Sequence, residues 1–161
     1  MDENNSDDRR TSVLFVCLGN ICRSPYAHLR LEDRDCAELE VLSAGFLQPD
    51  RSPPFEAVDA ARRRGLESSG HRSRVIAGED VDESTAVFVF DRFNQRDVFR
   101  LPGLDPTKVF WLGDFDPEWA GKRAIIDPWG RGEAFFAATF DRIDRCVAEV
   151  AAVLCVTPRG S

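Results

Sequence analysis

An apolar run, Val13-Leu14-Phe15-Val16, stops at Cys17, and after five intervening residues come Arg23, Ser24 and Pro25. A short apolar run of this kind suits a buried strand. Ser is a favoured helix N-cap and Pro a favoured first helical residue, so the spacing predicts a helix opening at Ser24-Pro25. Strand, tight loop and helix follow one another with no slack. Such a loop aims several backbone N–H groups at one point, and the helix dipole adds partial positive charge there. The segment is therefore built to hold a phosphate-sized anion. A cysteine at the mouth of that loop, with Arg23 in the same ring, is expected to be a thiolate.

The rest of the chain repeats the alternation. Ser12–Cys17, Val41–Phe46, Ala86–Phe90 and Val109–Leu112 read as strands. Pro25–Arg34, Pro53–Arg64 (with Gly65 as stop signal) and Asp91–Leu101 read as the helical stretches that separate or follow them. Phe136, Phe140, Ile143, Val147, Val150 and Leu154 recur at helical spacing and define a final helix. This pattern predicts an α/β fold, a single-domain three-layer sandwich whose four-stranded parallel sheet is flanked by helices. Ligands in such folds bind at the carboxyl ends of the strands. Cys17, Ser43-Ala44-Gly45, Asp91 and the loop after Leu112 all fall there.

Composition narrows the function classes. The 161 residues suit one domain, placed at 12–156 between a disordered polar tail (1–11) and a flexible C-terminus (157–161). A net charge of −7 argues against nucleic acid as partner. Basic residues are almost all arginine, Lys108 and Lys122 being the lysines. No apolar run reaches membrane-spanning length, and the charged N-terminus does not read as a signal peptide. The five cysteines (17, 22, 36, 146 and 155) show no metal-ligand pairing with histidine. Their odd number, in a protein that needs a free thiolate, predicts a reducing cytoplasm.

The run Cys17-Leu18-Gly19-Asn20-Ile21-Cys22-Arg23-Ser24-Pro25 resembles the signature of the low-molecular-weight protein tyrosine phosphatases. Ser43-Ala44-Gly45, His71-Arg72-Ser73-Arg74, Asp91-Arg92-Phe93-Asn94 and Asp127-Pro128-Trp129-Gly130 extend the resemblance over roughly residues 12–154. The resemblance implies hydrolysis of phosphotyrosine on a protein substrate, such as a tyrosine kinase, without cofactor or metal. Cys17 would then be the nucleophile, and Arg23 the planar fork that grips two phosphate oxygens. The Leu18, Gly19, Asn20, Ile21 and Cys22 loop would cradle the phosphate, with Gly19 permitting a backbone that a side chain would obstruct. By the same resemblance Asn20 locks the loop through neighbours that include Ser43 and His71, and Ser24 hydrogen-bonds the sulfur. Asp127 becomes the general acid; Asp114, Asp116 and Asp141 compete on chemistry alone, and the family motif decides between them. Many relatives carry two aromatics after Asp-Pro, usually tyrosines. Here Trp129 alone keeps the aromatic wall, and the only tyrosine is Tyr26. No specificity residue is assigned within the divergent Phe46–Pro54 loop.

Three other readings compete. Arsenate reductases can share this loop but need further cysteines in mid-chain, and none lies between Cys36 and Cys146. The related protein arginine phosphatases carry threonine where this chain has Ile21, and an apolar side chain there favours a flat aromatic ring over a guanidinium. A catalytically dead phosphopeptide-binding module would not retain Cys17, Arg23 and Asp127 together. Finally, Cys17 and Cys22 share one curled loop, where α-carbons can come within the roughly 7 Å a disulfide needs. The resemblance implies that Cys22 can capture an oxidised Cys17.

Overall fold

The computed structural model describes residues 10–119 and 121–155. Residues 1–9 of the expected tail, residue 156 and the expected flexible C-terminus at 157–161 lie outside the described residues. The elements are β1 (Thr11–Val16), α1 (Arg23–Glu32), β2 (Leu39–Ala44), α2 (Phe55–Arg62), α3 (Gly78–Glu83), β3 (Ala86–Val89), α4 (Arg92–Phe99), β4 (Val109–Trp111) and α5 (Glu133–Leu154). Thr11, expected in the tail, already belongs to β1.

The four strands form one parallel sheet in the order β2-β1-β3-β4. The chain leaves central β1 toward one neighbour, β2, and returns on its other side as β3. The end of β1 is thus the point where strand order reverses, and the residue that follows it is Cys17. Alternation along β1 feeds two cores. Val13 and Phe15 pack with Tyr26 of α1, Ala57 of α2 and the Phe136, Phe140 and Ile143 stripe of α5. Leu14 and Val16 pack on the opposite face with Val81 of α3 and Val98 of α4. The three expected layers are present. Tyr26 ties α1 to α5: its ring stacks on Phe140 at 3.9 Å between centroids, and its hydroxyl donates to Asp144 at 2.7 Å.

Helix α1 begins at Arg23 rather than at Ser24-Pro25, Cys22 occupies the N-cap position, and no side chain caps the first turn. Ser24 is spent elsewhere, as described below. Helix α3 was not expected; Val81 is its one buried residue, so it has no apolar periodicity to read. Three cysteines are free thiols, Cys17, Cys22 and Cys146. Cys36 and Cys155 are joined, with α-carbons 5.4 Å apart and a sequence separation of 119. This bond ties the turn after α1 to the end of α5.

Disulfides contribute about 2–4 kcal/mol, chiefly by restricting the unfolded chain. For a chain of this size each kcal/mol moves Tm by about 2–4 °C. Cys155→Ser is therefore expected to lower the Tm of the oxidised protein by at least about 4 °C. Melting in dithiothreitol should erase the difference from wild type. Equal melting without reductant would show that the bond adds no stability.

Candidate active site

The segment from Cys17 to Arg23 curls at the carboxyl end of β1. Cys17 is buried, and its Sγ lies 2.9 Å from Ser24 Oγ. Ser24 Oγ also accepts a hydrogen bond from Asn20 Nδ2 at 2.9 Å. With Asn20 donating to that oxygen, the hydroxyl proton is free to point at the cysteine sulfur. Ser24 thus partners the cysteine sulfur and does not cap the helix.

Asn20 is fully buried and sits in the left-handed region at φ 53°. Asparagine tolerates that conformation better than most residues. The position is over-determined by the segment around residues 71–74. Asn20 Oδ1 accepts from the Arg74 backbone N–H at 3.0 Å, and the Asn20 carbonyl accepts from His71 Nε2 at 2.7 Å. Burial lowers the pKa of His71, so the ring is neutral and its one N–H is committed to that carbonyl. Ser43 does not join Asn20 as expected: its hydroxyl pairs with His28 Nδ1 at 3.1 Å. It reaches the network through its carbonyl, which accepts from Arg74 Nε at 3.0 Å. Gly45 completes the clamp. The Phe46 N–H donates to the Leu18 carbonyl at 2.8 Å, and Gly45 bridges to the strand-like segment at Val75.

Arg23 is 2% exposed. Its Nη1 donates to Asp91 Oδ2 at 2.7 Å and to the Ile125 carbonyl at 2.8 Å. Burial alone opposes its charge, but Cys17, Asp91 and Asp127 around it hold its pKa above the ordinary arginine value. Asp91 serves twice, since its other oxygen caps α4 by accepting from the Phe93 and Asn94 N–H groups at 3.0 and 2.9 Å. This anchoring occupies one nitrogen of the guanidinium. Nη2 lies 3.8 Å from Asp127 Oδ2.

Cys17, Leu18, Gly19, Ile21, Cys22, Arg23 and Asp127 line one cleft of about 250 Å³, closed at its rim by Leu47, Arg51 and Trp129. Trp129 is half exposed, and its backbone N–H donates to Asp127 Oδ1 at 3.1 Å, which sets the carboxylate relative to the aromatic wall. Arg51 lies over the Trp129 ring at 6.0 Å. Burial, reinforced by the nearby Cys17 and Asp127, pushes the Cys22 thiol up, so it stays protonated. The competing aspartates are engaged away from the cleft: Asp114 with Arg123, Asp116 with Arg142 and Arg145, Asp141 with Arg64. Among the described residues no cluster of three or more His, Cys, Asp or Glu side chains could hold a metal ion.

Residues 12–156 match the model of the low molecular weight phosphotyrosine protein phosphatase family. The chain belongs to that family. The low molecular weight phosphotyrosine protein phosphatase of Sus scrofa is 33% identical over 146 residues, covering 84% of this chain and 90% of the pig protein. The low molecular weight protein-tyrosine-phosphatase Ptp of Acinetobacter johnsonii is 31% identical over 139 residues, 86% of this chain and 94% of its own. Among solved structures, the arginine phosphatase YwlE of Geobacillus stearothermophilus superposes with a TM-score of 0.79 at 31% identity, covering 89% of this chain and 92% of that one. As a member of this phosphatase family the protein is a cysteine-based enzyme of the α/β class with a four-stranded parallel sheet.

Several parts of the site have no loud sequence signal. Asp91 was legible as a motif member at a strand end, but not as the counter-charge of Arg23, which is 68 residues away. The Ile125 carbonyl is a backbone contact that side-chain chemistry cannot announce. Leu47 and Arg51 come from the divergent loop, which hydrogen bonds fix in place: Arg51 N–H to Ser73 Oγ at 2.9 Å, Ser73 N–H to the Arg51 carbonyl at 2.9 Å, and Ser73 Oγ to the Gln48 carbonyl at 2.8 Å.

Gly45 provides a sharp test. A Cβ there would stand 2.8 Å from the Leu18 carbonyl oxygen and 2.9 Å from the Asn20 nitrogen, both backbone atoms of the loop. Gly45→Ala must therefore push the loop off its support. Inorganic phosphate should inhibit the variant at least about tenfold more weakly, because the donors are no longer preorganised. Unchanged inhibition would mean that the loop holds its shape without the clamp.

Proposed function

We propose that this enzyme is a protein tyrosine phosphatase that works through a phosphocysteine on Cys17. The observation that supports this best is the convergence of Asp127, more than a hundred residues away in sequence, on the cleft formed by the Cys17-to-Arg23 loop. In this reading the Cys17 thiolate attacks phosphorus in line with the bond to the tyrosine oxygen. Arg23 and the loop amides hold the equatorial oxygens and follow their charge through the transition state. The uncapped first turn of α1 leaves its amides for that anion. Asp127 delivers a proton to the departing phenolate as the P–O bond breaks. The carboxylate then takes a proton from water, which attacks the phosphocysteine. Phosphate leaves, and the thiolate is restored with the Ser24 hydroxyl as its hydrogen-bond donor.

Walls of Ile21, Leu47 and Trp129 suit the flat face of a tyrosine ring. The solved Geobacillus relative is an arginine phosphatase. Ile21 and the cationic Arg51 at the rim disfavour a charged guanidinium in this cleft, so we assign phosphotyrosine on a protein, such as a tyrosine kinase, as substrate. No described helix is long and apolar enough to cross a membrane. We place the enzyme in the cytoplasm, because the mechanism needs a free Cys17 thiol; the Cys36–Cys155 bond is the feature that suits an oxidising compartment instead.

Asp127→Ala should slow aryl phosphates with poor phenolate leaving groups by about a hundredfold to ten-thousandfold and spare those with acidic phenols. An equal loss for both would assign Asp127 a structural role. Cys17→Ser should abolish turnover while still binding phosphate, and Arg23→Lys should fail as well, since an ammonium cannot reproduce the guanidinium fork. Phosphoarginine should be turned over more slowly than phosphotyrosine by the wild-type enzyme. The reverse order would transfer the enzyme to the arginine-specific branch.

A further inference from the structure

Acidic residues outnumber basic ones, 28 to 21, and arginines in the fold commonly face carboxylates, as Arg123 faces Asp114 and Arg145 faces Asp116. Arg51, Arg92 and Arg131 have no carboxylate at salt-bridge distance among the described residues. All three border the mouth of the site, and each lies over an aromatic ring. Arg51 stands 6.0 Å from the Trp129 centroid, Arg92 4.8 Å from Phe93, and Arg131 5.0 Å from Phe135. An overall negative chain thus presents unneutralised cations where its substrate arrives.

Beside the catalytic cleft lies a second depression of about 530 Å³. The two share Leu18, Arg23 and Asp127, so they are one continuous surface with Leu18 as the saddle. Its floor and edges include the exposed Leu18, Phe93 and Ile126, with Arg92 and Arg131 on its border. Of its three carboxylates, Asp127 belongs to the catalytic cleft, where it lies 3.8 Å from Arg23, and the other two are held by arginines. Asp91 is held by Arg23 and the α4 amides, and Asp97 faces Arg96 and Arg100. What remains for a visitor is an apolar patch rimmed by free guanidinium groups. The aromatic rings hold those groups in place by cation–π contact and leave their N–H edges free for carboxylates.

We infer that this depression docks the residues flanking phosphotyrosine in an acidic peptide segment of the substrate, whose carboxylates pair with Arg92 and Arg131 and whose apolar side chain covers Leu18, Phe93 and Ile126. The inference rests on the phosphotyrosine reading above and adds the sequence context that the site selects. A basic segment would meet like charge on arrival. Charges at a rim act mainly on encounter and on salt dependence, so the effect belongs in kcat/KM.

The test uses two phosphotyrosine peptides of equal length, one with glutamates and one with lysines around the phosphotyrosine, each carrying a neighbouring leucine. The readout is the ratio of their kcat/KM values within each protein, which cancels any loss of chemistry common to both. Wild type should favour the acidic peptide by about tenfold or more at low salt, with the preference shrinking as salt is added. Arg92→Ala/Arg131→Ala should bring the ratio to about twofold or less, and Arg92→Glu/Arg131→Glu should invert it. A wild-type ratio near one, or a ratio that survives both double variants, overturns the docking surface alone. Turnover of p-nitrophenyl phosphate without turnover of either peptide overturns the phosphotyrosine reading, and this inference with it.

Discussion

The site is organised around one buried cation. A guanidinium that is 2% exposed costs several kcal/mol of desolvation unless its charge is met and its N–H groups are satisfied. Asp91 and the Ile125 carbonyl meet that demand at 2.7 and 2.8 Å. Two loops are thereby drawn to the end of β1: the turn from β3 into α4, which supplies Asp91, and the segment through Ile125, which brings Asp127 into the cleft. The Ile125 N–H, bonded to the Phe90 carbonyl at 2.8 Å, ties those two loops to each other. Binding of Arg23 therefore does more than neutralise a charge. It sets the distance between the cysteine and the carboxylate that faces it.

A second constraint holds the loop itself. Left-handed Asn20 spends its side-chain amide on Ser24 and Arg74, and its carbonyl on His71. Close approach of Gly45 keeps the Leu18 carbonyl turned away toward Phe46. An anion-binding loop pays for flexibility at each turnover, because donors that must reorganise give back part of their stabilisation. Here the reorganisation is settled during folding, by contacts to β2 and the 71–76 segment and not by the ligand. The same logic extends to the rim, where Ser73 pins the backbone of Arg51 on both sides.

Much of the layered fold was legible because it is periodic. The run Val13–Val16 and the Phe136-to-Leu154 stripe encode two-sided burial and an amphipathic helix directly, and both appear where expected. Boundaries shifted by one or two residues where side chains had other work. Ser24 is the clearest instance, since its hydroxyl serves the sulfur and the helix starts ahead of it. Helix α3 stayed hidden because six residues with one buried position carry no period. In the site, local motifs exposed Cys17, Arg23 and the loop between them. Long-range pairings were not legible: Arg23 with Asp91, Ser43 with His28 in place of Asn20, and Cys36 with Cys155 across 119 residues. Each is decided by three-dimensional proximity, for which a single sequence has no signal.

The central claim is that the buried sulfur of Cys17 carries the phosphoryl group between substrate and water. Rapid acid quench of the enzyme with a radiolabelled phosphotyrosine peptide, followed by peptide mapping, addresses it directly. The account predicts label on the peptide that contains Cys17, formed before free phosphate appears and absent from Cys17→Ser. Phosphate release at full rate with no labelled protein, or label on any other residue, would contradict it.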